Sequence, residues 1–346
     1  MQGFFAAQAR RRVLMMLALG AVGVSAPMMA RAAEPLRVVA SFSVLGDMAR
    51  EIGGTDVAVA TLVGPDGDAH AYEPTPAAAR QLAGAAVLIE NGLGFETWLP
   101  RLVKAAGFGG RIVVASNGVA PRKLAGAGHD HGEHGRDHDH DHDHEHEHDD
   151  HGSGAAAHGH DHGAAHHPHG DLDPHAWQSL ANGAIYARNI AEGLAAADPA
   201  RAAAYRERGQ AYIARIEALD AQIRETFGAI PQARRQVVTS HDAFGYFGDT
   251  YGVRFIAVAG MSTDAEPSAA DMARIIEQVR REHVPAVFVE NITSPALVQQ
   301  VARETGARVG GTLYSDALAP SGKPAATYLG MFEWNARQLS AALQPQ

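Results

Sequence analysis

The stretch Asp198-Pro199-Ala200-Arg201 runs on as AAAYRERGQAYIARIEALDAQIRETFG to residue 228, and its pattern decides the architecture. Tyr205, Tyr212, Ile216, Leu219, Ile223 and Phe227 fall mostly three, four or seven residues apart, the stripe of one helical face. Asp198 stands where an N-cap belongs, and Pro199 occupies the first helical position, where its missing N–H costs nothing. At 1.5 Å per residue such a helix is roughly 40 Å long, enough to cross one lobe and enter another.

The chain on either side has one rhythm. Before the helix, β-rich runs at 37–41, 57–63, 86–90 and 111–115 alternate with helical patterns near 44–52, 75–82 and 96–105, and 175–196 is helical. After it, runs at 236–239, 254–258, 286–290 and 308–314 alternate with helical patterns near 243–251, 269–282, 295–305 and 326–343. Strands separated by helices imply βα units and parallel pairing. The expected fold class is α/β, two similar lobes with parallel-rich four-stranded sheets joined by one long helix. The expected division is a signal peptide at 1–32, an N-terminal lobe at 33–197, a linking helix at 198–228 and a C-terminal lobe at 229–346.

The signal peptide rests on Arg10-Arg11-Arg12, an apolar region at 13–24 and the small-x-small site Ala30-Arg31-Ala32. The apolar region is short for a membrane span. A soluble periplasmic protein starting near Ala33 is expected, because no cysteine exists to carry a lipid. The same absence excludes disulfides, thiolate metal sites and cysteine nucleophiles.

Sixteen of the twenty histidines lie between His129 and His169. The densest part alternates imidazole with acid: His138, His140, His142, His144, His146 and His148 are separated by Asp or Glu. Almost no large apolar residue interrupts this run, so nothing offsets a backbone ordering cost of roughly 1–2 kcal/mol per residue. The expectation is a disordered His-rich loop at 129–169 offering auxiliary weak metal sites. A solvated acidic spacer is the bland alternative. The segment also distorts the net charge of −10: residues 129–171 hold twelve acids and one Arg, −11, leaving about +1 elsewhere. With that balance and no basic run, nucleic acid is not an expected partner.

Parallel α/β sheets place ligands beyond the carboxyl ends of their strands. His70 lies there, in the Gly- and Pro-rich turn after 57–63. His241 follows Val237-Val238-Thr239-Ser240, and Asp316 follows the run at 308–314. His175 stands in Asp173-Pro174-His175-Ala176-Trp177, where apolar residues return after the histidine-rich stretch. Each alone also fits a surface histidine, a cap or a turn residue. Asp242 reads as a cap for the next helix. His283 reads as a structural residue at a helix C-terminus.

Together the motifs around His70 (Asp-Ala-His-Ala-Tyr-Glu-Pro), His175 (Asp-Pro-His-Ala-Trp), His241 (Thr-Ser-His-Asp-Ala-Phe-Gly-Tyr-Phe) and Asp316 (Tyr-Ser-Asp-Ala-Leu) stand in an order that resembles the metal-binding proteins of zinc and manganese ABC importers. The resemblance spans essentially the whole mature chain and is nearest the zinc branch, the Azt- and Znu-type proteins. It implies a four-coordinate site between the lobes, with His70 and His175 from one and His241 and Asp316 from the other. It also implies Zn²⁺ as transported ligand, a membrane ABC permease and a periplasmic zinc metallochaperone as partners, a monomer, no catalysis, and a long helix that limits hinge motion. Three imidazoles and one carboxylate favour zinc over manganese, which prefers more oxygen. The alternatives are a manganese-binding member of the same family and, from another class, a secreted zinc-dependent hydrolase with water in the fourth position.

Overall fold

The computed structural model describes residues 34–123, 172–261, 263 and 267–344. The N-terminal half contains strands β1 (Leu36–Phe42), β2 (Val57–Val63), β3 (Val87–Glu90) and β4 (Arg111–Val114), with helices α1 (Ser43–Gly53), α2 (Pro76–Ala83) and α3 (Leu99–Ala106) between them. The long helical segment follows as α4 (Leu180–Ala197) and α5 (Ala202–Gly228). The second half contains β5 (Gln236–Thr239), β6 (Arg254–Ala257), β7 (Ala286–Glu290) and β8 (Arg308–Leu313), interleaved with α6 (Gly245–Tyr251), α7 (Ala269–Glu282) and α8 (Ala296–Thr305), and closes with α9 (Tyr328–Leu343).

Both sheets are wholly parallel and share one topology, β2-β1-β3-β4 and β6-β5-β7-β8. The inner strands carry continuous apolar stretches at their centres, as strands covered on both faces do. Val38, Val39, Ala40, Val87, Leu88 and Ile89 are all buried, as are Val237, Val238, Ala286, Val287 and Phe288. In each sheet the first strand has its sequence neighbour on one side and the third strand on the other. That reversal opens a crevice beyond the carboxyl ends of β1 and β3, and of β5 and β7.

Helix α5 buries Tyr205, Gly209, Tyr212, Ile216, Leu219, Ile223 and Phe227 at four- and three-residue steps. This stripe packs on α1 and α4 of the first lobe and on α6 and α9 of the second. Each fully buried large apolar side chain contributes roughly 1.5–3 kcal/mol relative to exposure. Gly209 lets α5 approach α4, since a Cβ there would stand 2.7 Å from the Ala191 Cβ. One apolar cluster therefore runs from Val38 and Ile52 through Ile216 to Phe247 and Phe332, while a smaller one lies under α7 and α8.

Two expected elements differ. The linking helix begins as a 3-10 turn, Pro199–Arg201, and becomes α-helical only at Ala202. Asp198 holds the N-cap position of that turn with Pro199 after it, and its carboxylate pairs with the Arg201 side chain and accepts the Tyr205 hydroxyl at 3.0 Å. The helix expected over 175–196 is interrupted as well. Ala176–Gln178 form a 3-10 turn, Ser179 is extended, and the α-helix starts at Leu180. The cause lies across the cleft, where Trp177 Nε1 and Gln178 Nε2 both donate to the Ser315 carbonyl, at 2.9 and 2.6 Å. The signal-peptide region and the His-rich segment lie outside the described residues.

Candidate metal centre

The four residues singled out in the sequence meet at one point. One ligand atom from each of His70, His175, His241 and Asp316 lies within 4.8 Å of the others. His70 Nε2 is 3.3 Å from His175 Nε2 and 3.1 Å from Asp316 Oδ2. His241 Nε2 is 3.1 Å from Asp316 Oδ2, and His175 Nε2 is 3.7 Å from Asp316 Oδ1. Bonds of about 2.0–2.2 Å to a tetrahedral ion separate its ligands by roughly 3.3–3.6 Å. The cluster thus has the dimensions of one small ion's coordination shell.

Each of the four candidate side chains is aimed by its local structure. His70 rides on the turn after β2, where Asp66 adopts a left-handed backbone (φ 53°) and donates its N–H to the Leu318 carbonyl at 2.9 Å. Asp68 Oδ1 accepts the His70 N–H at 2.8 Å, and Trp98 Nε1 donates to the Ala69 carbonyl at 2.9 Å. His175 follows Asp173-Pro174, and Asp173 Oδ1 accepts its N–H at 3.0 Å and faces its Nδ1 at 2.8 Å. His241 leaves the end of β5, with its N–H donated to Glu290 Oε1 at 2.9 Å. Its Nδ1 approaches Glu290 Oε2 to 2.6 Å, although the angle falls short of hydrogen-bond geometry. Asp316 follows β8 in a loop that Leu318 N–H anchors to Ser43 Oγ across the cleft, at 2.9 Å.

Two imidazoles are therefore backed by buried carboxylates, which fix ring orientation and raise ligand basicity. Among the described residues no carboxylate backs the His70 ring; it stands edge-on to Phe95 with centroids 4.8 Å apart. It is also the one of the four with exposure, about 10% of its side chain against 0% for the other three. Phe42, Phe95 and Trp177, mutually 4.8–5.0 Å apart, form an apolar wall behind the first-lobe histidines. Burial works against a charged His241, but Glu290 and Asp316 outweigh it and hold its pKa well above the usual histidine value. Burial likewise opposes ionisation of Asp316; the adjacent His175 and His241, with hydrogen bonds from His241 and His70, hold it well below the usual carboxylate range. That pairing favours a charged imidazole against a carboxylate, and a cation bound there would compete with the imidazole proton.

Asp242 does not cap a helix. Its N–H donates to the Gly260 carbonyl, and α6 begins three residues later with Phe244 as its N-cap. His283 sits at the C-cap of α7 in a left-handed conformation, away from the cluster. Sequence reasoning passed over Asp173, Glu290 and Arg122. The first stands two residues before a ligand, and the second ends a parallel strand, the position that singled out His241.

Fold and site together define a class: a two-lobed solute-binding protein with a cleft furnished for a divalent cation. Residues 38–342 match the family model described as "Zinc-uptake complex component A periplasmic", and the chain belongs to this family. It is 28% identical over 316 residues to the "Iron ABC transporter substrate-binding lipoprotein MtsA" of Streptococcus pyogenes serotype M1, covering 90% of this chain and 89% of that one. It is 27% identical over 316 residues, with the same coverage, to the "Manganese ABC transporter substrate-binding lipoprotein PsaA" of Streptococcus pneumoniae. Among solved structures it resembles the "periplasmic zinc binding protein TroA" from Treponema pallidum, with a TM-score of 0.75, 25% identity, and coverage of 90% of this chain and all of that one. MtsA and PsaA are named as ABC transporter substrate-binding lipoproteins and the family as a zinc-uptake component, so the chain belongs with binding proteins and the hydrolase alternative falls. Asp316, fully buried and 3.1 Å from His241 Nε2, stands where a fourth ligand would, the position that a zinc hydrolase leaves to water.

Proposed function

We propose that this protein captures Zn²⁺ in the periplasm and delivers it to an ABC-type membrane permease. The observation that carries the metal assignment is the donor set: three imidazole nitrogens and one carboxylate at 3.1–3.7 Å spacing, with three of the four side chains fully buried. A closed, nitrogen-rich tetrahedral site suits zinc, which has no geometric preference of its own and favours imidazole. Manganese is served better by six oxygen-rich positions. His70, His175, His241 and Asp316 are the proposed ligands. His138, His140, His142, His144, His146 and His148 are proposed as weak collecting sites, and a periplasmic metallochaperone as a source of the ion. We retain the division into a 1–32 signal peptide, a 33–197 lobe, a 198–228 linking helix and a 229–346 lobe, in a monomer.

The names of the relatives cover iron, manganese and zinc, so metal identity is the part to test. Competitive titration of protein lacking residues 129–169 with Zn²⁺, Mn²⁺ and Fe²⁺ measures it directly. One tight zinc site with manganese and iron displaced is the expected result. Manganese or iron retained against equimolar zinc would refute the zinc assignment.

A further inference from the structure

Arg122 touches no ligand of the metal centre, yet it joins the two lobes at the residue behind one of them. Its Nη1 donates to Asp173 Oδ2 at 3.2 Å, and the other oxygen of that carboxylate faces His175 Nδ1 at 2.8 Å. Its Nε donates to Asp249 Oδ2 at 2.9 Å, on α6 of the other lobe. The main chain repeats the connection: Arg122 N–H donates to the Tyr246 hydroxyl at 2.8 Å, and that hydroxyl donates to the Asp173 carbonyl at 3.2 Å. Tyr246 and Asp249 both lie on the helix that follows His241. Gly245 opens the space, because a Cβ there would stand 2.4 Å from Arg122 Nη1 and 2.6 Å from Asp173 Oδ2.

We infer that Arg122 is a positioning residue that sets how long the centre holds its ion, by fixing Asp173 behind His175 and pinning it to α6. Asp173 is fully buried, so an unpaired carboxylate there would be costly. With Oδ2 engaged by the guanidinium, Oδ1 is left to accept Nδ1–H, and the Nε2 lone pair of His175 points at the ion. The α6 arm makes the same group sensitive to separation of the lobes. If they part on the side of Arg122, the support of His175 and the cleft loosen together. A planar, always-charged fork suits a residue bridging two carboxylates on different elements; an ammonium reaches one at a time.

The inference rests on His175 being a ligand, and the test separates the two ideas. The full chain is loaded with one equivalent of Zn²⁺ and mixed with excess EDTA, and the slowest release phase is followed for native protein, Arg122→Gln, Arg122→Lys and Asp249→Asn. Native protein should release slowly, Arg122→Gln about tenfold or more faster, as for other groups that orient metal ligands, and Arg122→Lys in between. Asp249 is 68% exposed in its side chain, so its substitution spares the fold and should still accelerate release, about threefold, the size of an exposed ion pair's contribution. Melting of the metal-free proteins is measured alongside. Release by Arg122→Gln within twofold of native, or release by Asp249→Asn unchanged, overturns the inference even if melting temperatures fall. The absence of any slow phase in native protein overturns the site assignment, and the inference with it.

Discussion

Replacing Glu290 by Gln changes one oxygen for an NH₂ group behind His241, and the contacts around that carboxylate set the outcome. Glu290 is 1% exposed, with Oε1 on the His241 N–H at 2.9 Å and Oε2 at 2.6 Å from Nδ1. Gln can keep the first contact with its oxygen, but its NH₂ then faces Nδ1. Two donors cannot face each other, so the imidazole is driven toward the tautomer protonated at Nε2, where the ion must bind. Loss of such a supporting carboxylate costs about 10–100-fold in metal affinity, or roughly 1.4–2.7 kcal/mol. A second effect has the opposite sign. Glu290 and Asp316 together raise the His241 pKa, so native protein must expel a proton to take the ion even above the ordinary histidine range. The variant loses one of those anions, and its proton competition at neutral pH weakens. Calorimetry of protein lacking residues 129–169, at pH 7 and pH 8.5 in buffers of different ionisation enthalpy, reads both quantities. Native protein should release about one proton per ion at pH 7, and Glu290→Gln should release fewer and bind more weakly, with the larger deficit at pH 8.5. Unchanged affinity together with unchanged proton release would refute this account of the centre.

Native affinity should fall by up to about tenfold per pH unit as pH drops below the raised His241 pKa; a flat profile between pH 7 and 5.5 would contradict it. Burial pushes Glu96 up to about 7, despite hydrogen bonds from Ser41 Oγ and the Asn91 N–H. The folded state therefore binds this proton more tightly than the unfolded state, and the stabilisation is full below about 4.5 and is lost as pH rises through 7. Relative to native protein, metal-free Glu96→Gln should gain about 3 kcal/mol between pH 4.5 and 7.5, read from urea midpoints; a constant difference would count against it. Gly245→Ala forces a Cβ against Arg122 and Asp173 and should cost about 1–3 kcal/mol, checked by thermal unfolding. Deleting residues 129–169 should lower zinc stoichiometry and leave one tight site; equal stoichiometry in both proteins would make that segment a spacer.

Much of this was legible in the sequence because parallel sheets put chemistry at the ends of apolar strands. His70, His241 and Asp316 were found that way, and the structure brings them to His175. The strands of the described residues were legible for a related reason, since buried inner strands such as β1 and β3 carry the apolar stretches Val38-Val39-Ala40 and Val87-Leu88-Ile89. Where local reading went astray, contacts distant in sequence had overridden it. The break at Ser179 answers to Ser315, more than a hundred residues away. Asp198 holds the cap position it was read for, but of a 3-10 turn, with its carboxylate also engaged by the Arg201 and Tyr205 side chains. Glu290 obeys the strand-end rule and was passed over because an acid after Val-Phe-Val also fits an ordinary strand end. Arg122 carried no signal, as its partners Asp173 and Asp249 lie 51 and 127 residues further along the chain.

The central claim is that His70, His175, His241 and Asp316 close around one zinc ion, and the crystal structure of the zinc-loaded protein tests it most directly, with anomalous scattering at the zinc edge locating the ion. A single strong peak in the cleft is the predicted result, held tetrahedrally by the three Nε2 atoms at about 2.0–2.1 Å and an Asp316 oxygen at about 2.0–2.2 Å. A peak elsewhere in the folded lobes, or a zinc from which Asp316 or any of the three histidines stands apart, would contradict it.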